Sequence, residues 1–276
     1  MSAPVLDATD QPEAPLADEL PPDAWDHPVP DRKRLLSYVG RWGRARRWLP
    51  RDAERIYDVG SAFGYGTAAL TGHVGDRRRV VGIECDDEHL VAAQQRYPWV
   101  PVLRGWAERL PGDDQSVDAV ALLDVIEHVA EPADVVKEIH RVLRPGGVLV
   151  LTTPHKGLLE RFDSLNLYPA LCKRFTKWPP LDEADGAASG RHLHFSVDEL
   201  RALLEPEFVI EKVELTGLGL AELVHLFGLI VCKGILRSQA LYHAIFPLHF
   251  AVYLADDLVP LGKASFYVSI KARRAD

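Results

Sequence analysis

The chain has 276 residues, 47% of them hydrophobic and 26% charged, enough to bury a sizeable core within one elaborated domain. A formal net charge of −8 disfavours nucleic acid as a partner, because phosphate-backbone recognition calls for a basic surface. Three widely spaced cysteines, Cys85, Cys172 and Cys232, offer neither a disulfide framework nor a structural zinc site and fit a reducing cytoplasm.

Residues 1–30 are acidic and proline-rich, without lysine or arginine, a composition that predicts a mostly disordered tail and lacks the basic start and apolar core of a signal peptide. The folded domain is then expected over 31–276. Between Asp31 and Leu49 the charge reverses. Leu35, Leu36, Val39, Trp42 and Trp48 recur at helical spacing among arginines, which predicts a basic amphipathic helix across the domain, its charged side a solvated face. A phosphate- or membrane-contacting role is the competing reading.

From Arg55 to Thr153 short apolar runs near 55–59, 79–83, 100–104, 117–123 and 148–153 alternate with helical segments. That rhythm predicts a doubly wound α/β fold with parallel strands and helical crossovers. Residues 154–195 break it and read as a lid insertion. Ser196 and Glu199 make a capping box for a helix through about Leu204. Phe208–Leu215 and Ala264–Ala272 are strand candidates, and a terminal hairpin of the two would complete a seven-stranded, mostly parallel sheet. Between them 218–259 is an apolar helical insertion with no stretch long and clean enough for a transmembrane span.

The run Asp58-Val-Gly60-Ser-Ala62-Phe-Gly64 joins a strand to a helix, where glycines allow a sharp turn and close approach to a ligand. Its D-x-G-x-A-x-G spacing differs from the dinucleotide fingerprint G-x-G-x-x-G, and Glu84 ends the next strand within reach of a nucleoside ribose. Together they point to a nucleoside cofactor.

In order, YDVGSAFGYGT, VVGIECD, GWAERLPGDDQSVDAV, LLDVIEHV and EIHRVLRPGGVLVLTTP give the chain its likeness: it resembles the class I S-adenosylmethionine-dependent methyltransferases, most nearly the quinone-pathway and natural-product subgroup. The resemblance implies a Rossmann-like methyltransferase fold with S-adenosylmethionine as cofactor. Asp58, Gly60, Ala62 and Gly64 would line its methionine part, Glu84 would accept from both ribose hydroxyls, and Cys85 would flank the adenine. Ala62 replaces a common glycine, a change tolerated where the local dihedrals are negative. Trp106 stands where many relatives carry an aspartate, so the adenine would be held by backbone near Ala107 or by stacking on the indole; a core tryptophan is the bland alternative.

Methyl transfer needs a positioned acceptor, excluded water and, for a hydroxyl, a base. Asp124, Glu127 and His128 sit at the end of the fourth strand, with Asp124 toward the cofactor. His128 is the first base candidate, since its ordinary pKa lies near neutrality; turn capping is its structural alternative. His155 is a second candidate, and His192 or His194 could be brought in by lid closure. Asp124, Glu127 and His128 could gather a hard cation, but the site is read as metal-free.

The expected enzyme methylates a small, hydrophobic, lipid-like or natural-product acceptor, at a hydroxyl oxygen first and at nitrogen or carbon next. The contrasting reading is a non-catalytic binding protein on the same fold. The apolar 218–259 region is open to core packing, homodimer contacts or peripheral membrane contact.

Overall fold

The computed structural model describes residues 40–74, 79–175, 178–180, 192–205 and 207–276. The tail expected over 1–30, the apolar positions Leu35, Leu36 and Val39, and the run DEADGAASG of the lid lie outside the described residues. The seven strands are β1 (Ile56–Val59), β2 (Val80–Glu84), β3 (Val102–Arg104), β4 (Val117–Leu123), β5 (Leu143–Pro154), β6 (Phe208–Thr216) and β7 (Tyr267–Arg274). They form one sheet in the order β3-β2-β1-β4-β5-β7-β6.

Strands β1 to β5 run parallel, with Ile56 beside Val80 on one side and Ala119 on the other. All residues of β1 and β2 are buried, the mark of strands covered on both faces, where an apolar run replaces strict alternation. One face packs Tyr57, Val59, Val120 and Leu122 against Ile139 and Leu200, which belong to α4 (Pro132–Val142) and α6 (Val197–Leu204). The other packs Ile56, Ala119, Ala121 and Val150 against Ala45, Trp48 and Leu70, from α1 (Gly40–Trp48) and α2 (Tyr65–Val74). Helix α3 (Asp87–Arg96) covers the β3 side. The capping box at Ser196 and Glu199 is present in both directions.

Strands β6 and β7 are the expected antiparallel pair, but not a simple hairpin. β7 lies between β5 and β6, antiparallel to both. The residues joining them form a helical hairpin of α7 (Leu220–Gly228), a π-helical stretch (Leu229–Ile235) and α8 (Gln239–Asp256). Gly228 lets the two arms close, since an added Cβ there would lie 2.6 Å from Ile245 Cδ1. No helix among the described residues is long and apolar enough to cross a membrane. The insertion expected over 154–195 carries α5 (Ser164–Arg174).

Helix α1 differs from the solvated basic face that its sequence predicts. Arg44 is 4% exposed, donating to Thr216 Oγ1 at 2.6 Å, Asp257 Oδ1 at 2.8 Å and Glu214 Oε2 at 3.3 Å. A cation is buried there because two carboxylates and a hydroxyl satisfy it. It ties α1 to β6 and to the residue following α8.

Candidate active site

The ends of β1, β2 and β4 converge on the glycine-containing turn. Gly60 and Ser61 donate their amides to the Ile83 carbonyl, at 2.8 and 3.1 Å. Ala62 donates to Glu84 Oε2 at 2.7 Å, while Glu84 Oε1 accepts from the amides of Cys85 at 2.9 Å and Asp86 at 3.0 Å. Glu84 is 6% exposed, and a carboxylate offers about four lone-pair positions, so its three backbone bonds leave capacity for a hydroxyl donor. Asp58 is buried beneath the turn, accepting from Thr67 Oγ1 at 2.7 Å. Burial raises its pKa to about 6, with the Glu84 charge adding to the rise while the Thr67 bond and Arg41 oppose it.

Gly60 has φ +74 and Gly64 φ +74. A Cβ on Gly60 would lie 2.4 Å from Val125 Cγ2, so this position requires glycine on both backbone and packing grounds. Ala62 corrects an expectation: its φ is +45, in the left-handed region rather than at a negative dihedral. The bond from its amide to Glu84 holds it there against a local cost of about 1–2 kcal/mol.

Trp106 follows β3, bridges Arg109 and is half-buried; it is not a core tryptophan. Gly105 donates to the Glu84 carbonyl at 2.9 Å, which brings Trp106 and Ala107 beside the acid. Cys85 is exposed. Asp124 has φ +55, accepts from Thr152 Oγ1 at 2.6 Å and is ion-paired with Arg41 of α1. Trp42 lies over the turn as well, since a Cβ on Gly66 would meet its Nε1 at 2.7 Å. Sequence reasoning placed neither Arg41 nor Trp42 at the site.

Beyond Asp124, Glu127 is 1% exposed; its Oε2 accepts from Thr153 Oγ1 at 3.0 Å, and Oε1 is buried without a hydrogen-bond partner. His192 brings Nε2 to 3.7 Å from that oxygen, its ring centroid 4.8 Å from that of His128. On its other side His192 Nδ1 donates to Asp163 Oδ2 at 2.5 Å, and His194 Nε2 approaches the same oxygen at 2.6 Å. Asp163 itself caps α5, taking the amides of Leu165 and Asn166 on Oδ1.

The electrostatics separate the two neighbouring rings. Burial, reinforced by the cationic tendency of His192, lowers the His128 pKa despite Glu127. For His192 burial acts downward too, but the hydrogen bond to Asp163 and the nearby charge of Glu127 overcome it and raise the pKa to about 10. Asp163 is held well below the carboxylate range, since its two histidine bonds outweigh burial.

His155 does not join this group. It is 4% exposed, with Nδ1 donating to the Ser265 carbonyl at 2.8 Å, and it pairs with Phe195 in an isolated bridge. Asp163 was missed by sequence reasoning; its signal was a helix-capping acid before an apolar run. Ligand atoms of Glu127, His128 and His192 lie within 4.8 Å of one another, as do those of Asp163, His192 and His194. Such nitrogen-rich sets suit a zinc-class ion better than a hard cation. Asp124 is in neither set.

Next to His192 and His194 a cleft of 940 Å³ opens between α5 and the 192–194 segment, with Leu165, Leu167 and Leu193 in its wall and Lys156, Arg161 and Lys173 among its cations. Lys156 is ion-paired with Glu199.

Residues 57–151 match a family model described as "Methyltransferase domain". A Mycolicibacterium smegmatis protein described as a "probable S-adenosylmethionine-dependent methyltransferase" is 40% identical over 112 residues, 41% of this chain and 41% of that one. The demethylmenaquinone methyltransferase of Chlorobaculum tepidum is 33% identical over 141 residues, 49% of this chain and 57% of the relative. The chain thus spans about half the length of these curated relatives or less. Among solved structures, an S-adenosylmethionine-dependent methyltransferase from Mesorhizobium loti superposes with a TM-score of 0.53 at 21% identity, covering 84% of this chain and 97% of that one. A Haemonchus contortus phosphoethanolamine N-methyltransferase in complex with S-adenosyl-L-methionine gives 0.55 at 18% identity, over 86% and 52%; these likenesses show the shared fold. Residues 57–151 thus match the methyltransferase-domain family, and the curated proteins to which this stretch is similar are described as S-adenosylmethionine-dependent methyltransferases.

Proposed function

We propose that the chain transfers a methyl group from S-adenosylmethionine to a small hydrophobic acceptor, at a hydroxyl oxygen. The observation that carries this reading is the bond from the Ala62 amide to Glu84. It closes the glycine turn on a buried acid that keeps accepting capacity for a ribose. Asp58, Gly60, Ala62 and Gly64 would hold the methionine part, Glu84 the ribose, and Cys85, Trp106 and Ala107 the adenine, with Asp124 anchoring Arg41 beside them. The cofactor supplies an electrophilic methyl group on a sulfonium.

His128 is the proposed general base. Its lowered pKa keeps the ring neutral near pH 7, so it can take a hydroxyl proton as the oxygen attacks. His192, cationic between Asp163 and Glu127, takes the positioning role: it orients the acceptor rather than removing its proton. His155 takes no part, because its ring is buried with Nδ1 held by the Ser265 carbonyl. The apolar wall of the cleft beside His192 supports a lipid-like acceptor.

Isothermal titration of the full chain with S-adenosylmethionine, beside the folded Glu84→Ala variant, tests the cofactor site. Micromolar binding that weakens at least about tenfold is expected, the scale of one lost charged hydrogen-bond acceptor. No binding by the folded wild type overturns the reading. Transfer of labelled methyl to apolar amines but not to apolar alcohols or phenols would overturn the choice of oxygen.

A further inference from the structure

The helical hairpin between β6 and β7 is unlike the rest of this acidic protein. Residues 218–263 contain three carboxylates, Glu222, Asp256 and Asp257, and each is turned inward. Asp256 accepts the amides of Leu218, Gly219 and Leu220 at 2.8 to 2.9 Å. Asp257 pairs with Arg44, and Glu222 accepts from Ser164 Oγ at 2.7 Å. The surface of this segment therefore carries no exposed carboxylate, although the chain as a whole has a net charge of −8.

At the tip of the hairpin, where the π-helical stretch turns into α8, Ile235 is 61% exposed, Leu236 55% and Leu241 40%. Arg237, exposed, takes φ +52 in the turn between them. Two aromatic residues following α5 flank this tip: Trp178 lies on the Gly234 backbone, where an added Cβ would meet its ring at 2.7 Å, and Phe175, 47% exposed, stacks on Trp178 with ring centroids 4.9 Å apart. In sequence, Lys173 and Arg174 precede this aromatic pair. Large apolar side chains, an aromatic pair and arginines, with no acid among the described residues of the tip, are the elements that seat a protein at a lipid–water boundary. A bilayer bearing negative headgroups is the partner whose charge matches, since it attracts Arg and would repel exposed carboxylates. Lys173 also lines the cleft beside His192, so the same surface borders the proposed acceptor pocket.

We infer that the hairpin tip docks on an anionic lipid surface, with Ile235, Leu236 and Leu241 entering the headgroup–acyl boundary and Arg174 and Arg237 meeting lipid phosphates. The docking stands independently of methyl transfer. If the methyl acceptor is lipid-like, docking delivers it to the cleft mouth.

The test is sedimentation of the full chain with phosphatidylcholine vesicles and with vesicles of phosphatidylcholine and phosphatidylglycerol, at low and high salt. Wild type should partition onto the anionic vesicles and be released by salt. Ile235→Ser/Leu236→Ser should lower partitioning at least about tenfold through lost apolar insertion, and Arg174→Gln and Arg237→Gln about fivefold each. These side chains are exposed, so unchanged unfolding midpoints separate docking from folding. Failure to bind anionic vesicles, equal binding to neutral vesicles, or full binding by the double serine variant overturns the inference. So does light scattering that shows a dimer abolished by the same serines, which would assign the tip to a second copy of the chain.

Discussion

Asp163 joins two roles through one carboxylate: Oδ2 accepts from His192 Nδ1 at 2.5 Å while Oδ1 caps helix α5 of the lid. The acid that caps α5 therefore also fixes the orientation and charge of the histidine facing Glu127.

That pairing predicts a pH signature in stability. The His192 pKa is raised to about 10 in the fold from 6.5, so its stabilising contribution is complete below pH 6.5 and lost as pH climbs toward 10. Asp163 is shifted the opposite way, and its contribution is complete above its ordinary pKa and lost in acid. The thermal midpoint of wild type should fall between pH 6.5 and 10, on the order of a few kcal/mol in stability. Asp163→Asn should flatten that slope and destabilise the protein at neutral pH by about 3 kcal/mol, because a buried cation loses its partner. A slope unchanged in the variant would refute the ion pair.

Removing the proposed base should act on chemistry rather than on binding. His128→Asn is expected to lower kcat by about 10²-fold or more while leaving cofactor affinity within a factor of about two. In the wild type kcat/KM should rise with pH and reach half its plateau below pH 6.5, since burial lowers the His128 pKa. A midpoint above 7 would point to a different base.

The turn itself can be probed by volume. Gly60→Ala puts a methyl group 2.4 Å from Val125 Cγ2 at φ +74, and urea denaturation should report a loss of about 2–4 kcal/mol from strain and overpacking together. Adding Val125→Ala removes the clash but not the dihedral cost, so it should restore only part of the stability. Full restoration would show that the backbone at Gly60 is unstrained.

Reading the site as metal-free also has a measurable outcome. Dialysis against EDTA should leave methyl transfer unchanged. Zinc should inhibit at least about tenfold, because Glu127, His128 and His192 converge within 4.8 Å and a soft-tolerant ion would take the His128 lone pair. Activity lost on chelation and restored by a divalent ion would reverse the assignment.

Much of this was legible in the residues because the signals were local. The strands near 79–83 and 117–123 are read from short, mostly apolar runs, the turn at Gly60 and Gly64 from its glycines, and α6 from its capping box. What escaped depended on distant partners. Arg44 looked like one cation on a solvated helix face, yet Asp257, far along the chain, buries it. Ala62 stands where a glycine is common, yet its alanine side chain pointed to a negative dihedral; its positive φ accompanies the bond from its amide to Glu84. Asp163 could be read only as a helix cap; the distant segment 192–194 brings His192 and His194 onto its other oxygen. His155 shares a strand end with the site, but the carbonyl of Ser265 holds its ring.

The position of β7 sets an order on biosynthesis. Because β7 inserts between β5 and β6 and is made only after the whole helical hairpin, a nascent chain that has already emitted β1 to β6 still has a bare β5 margin. Unpaired parallel-sheet margins are templates for association between chains. Ribosome stalling or truncation before Tyr267 should therefore yield aggregates rather than a smaller soluble domain, since the sheet is sealed only once β7 has emerged.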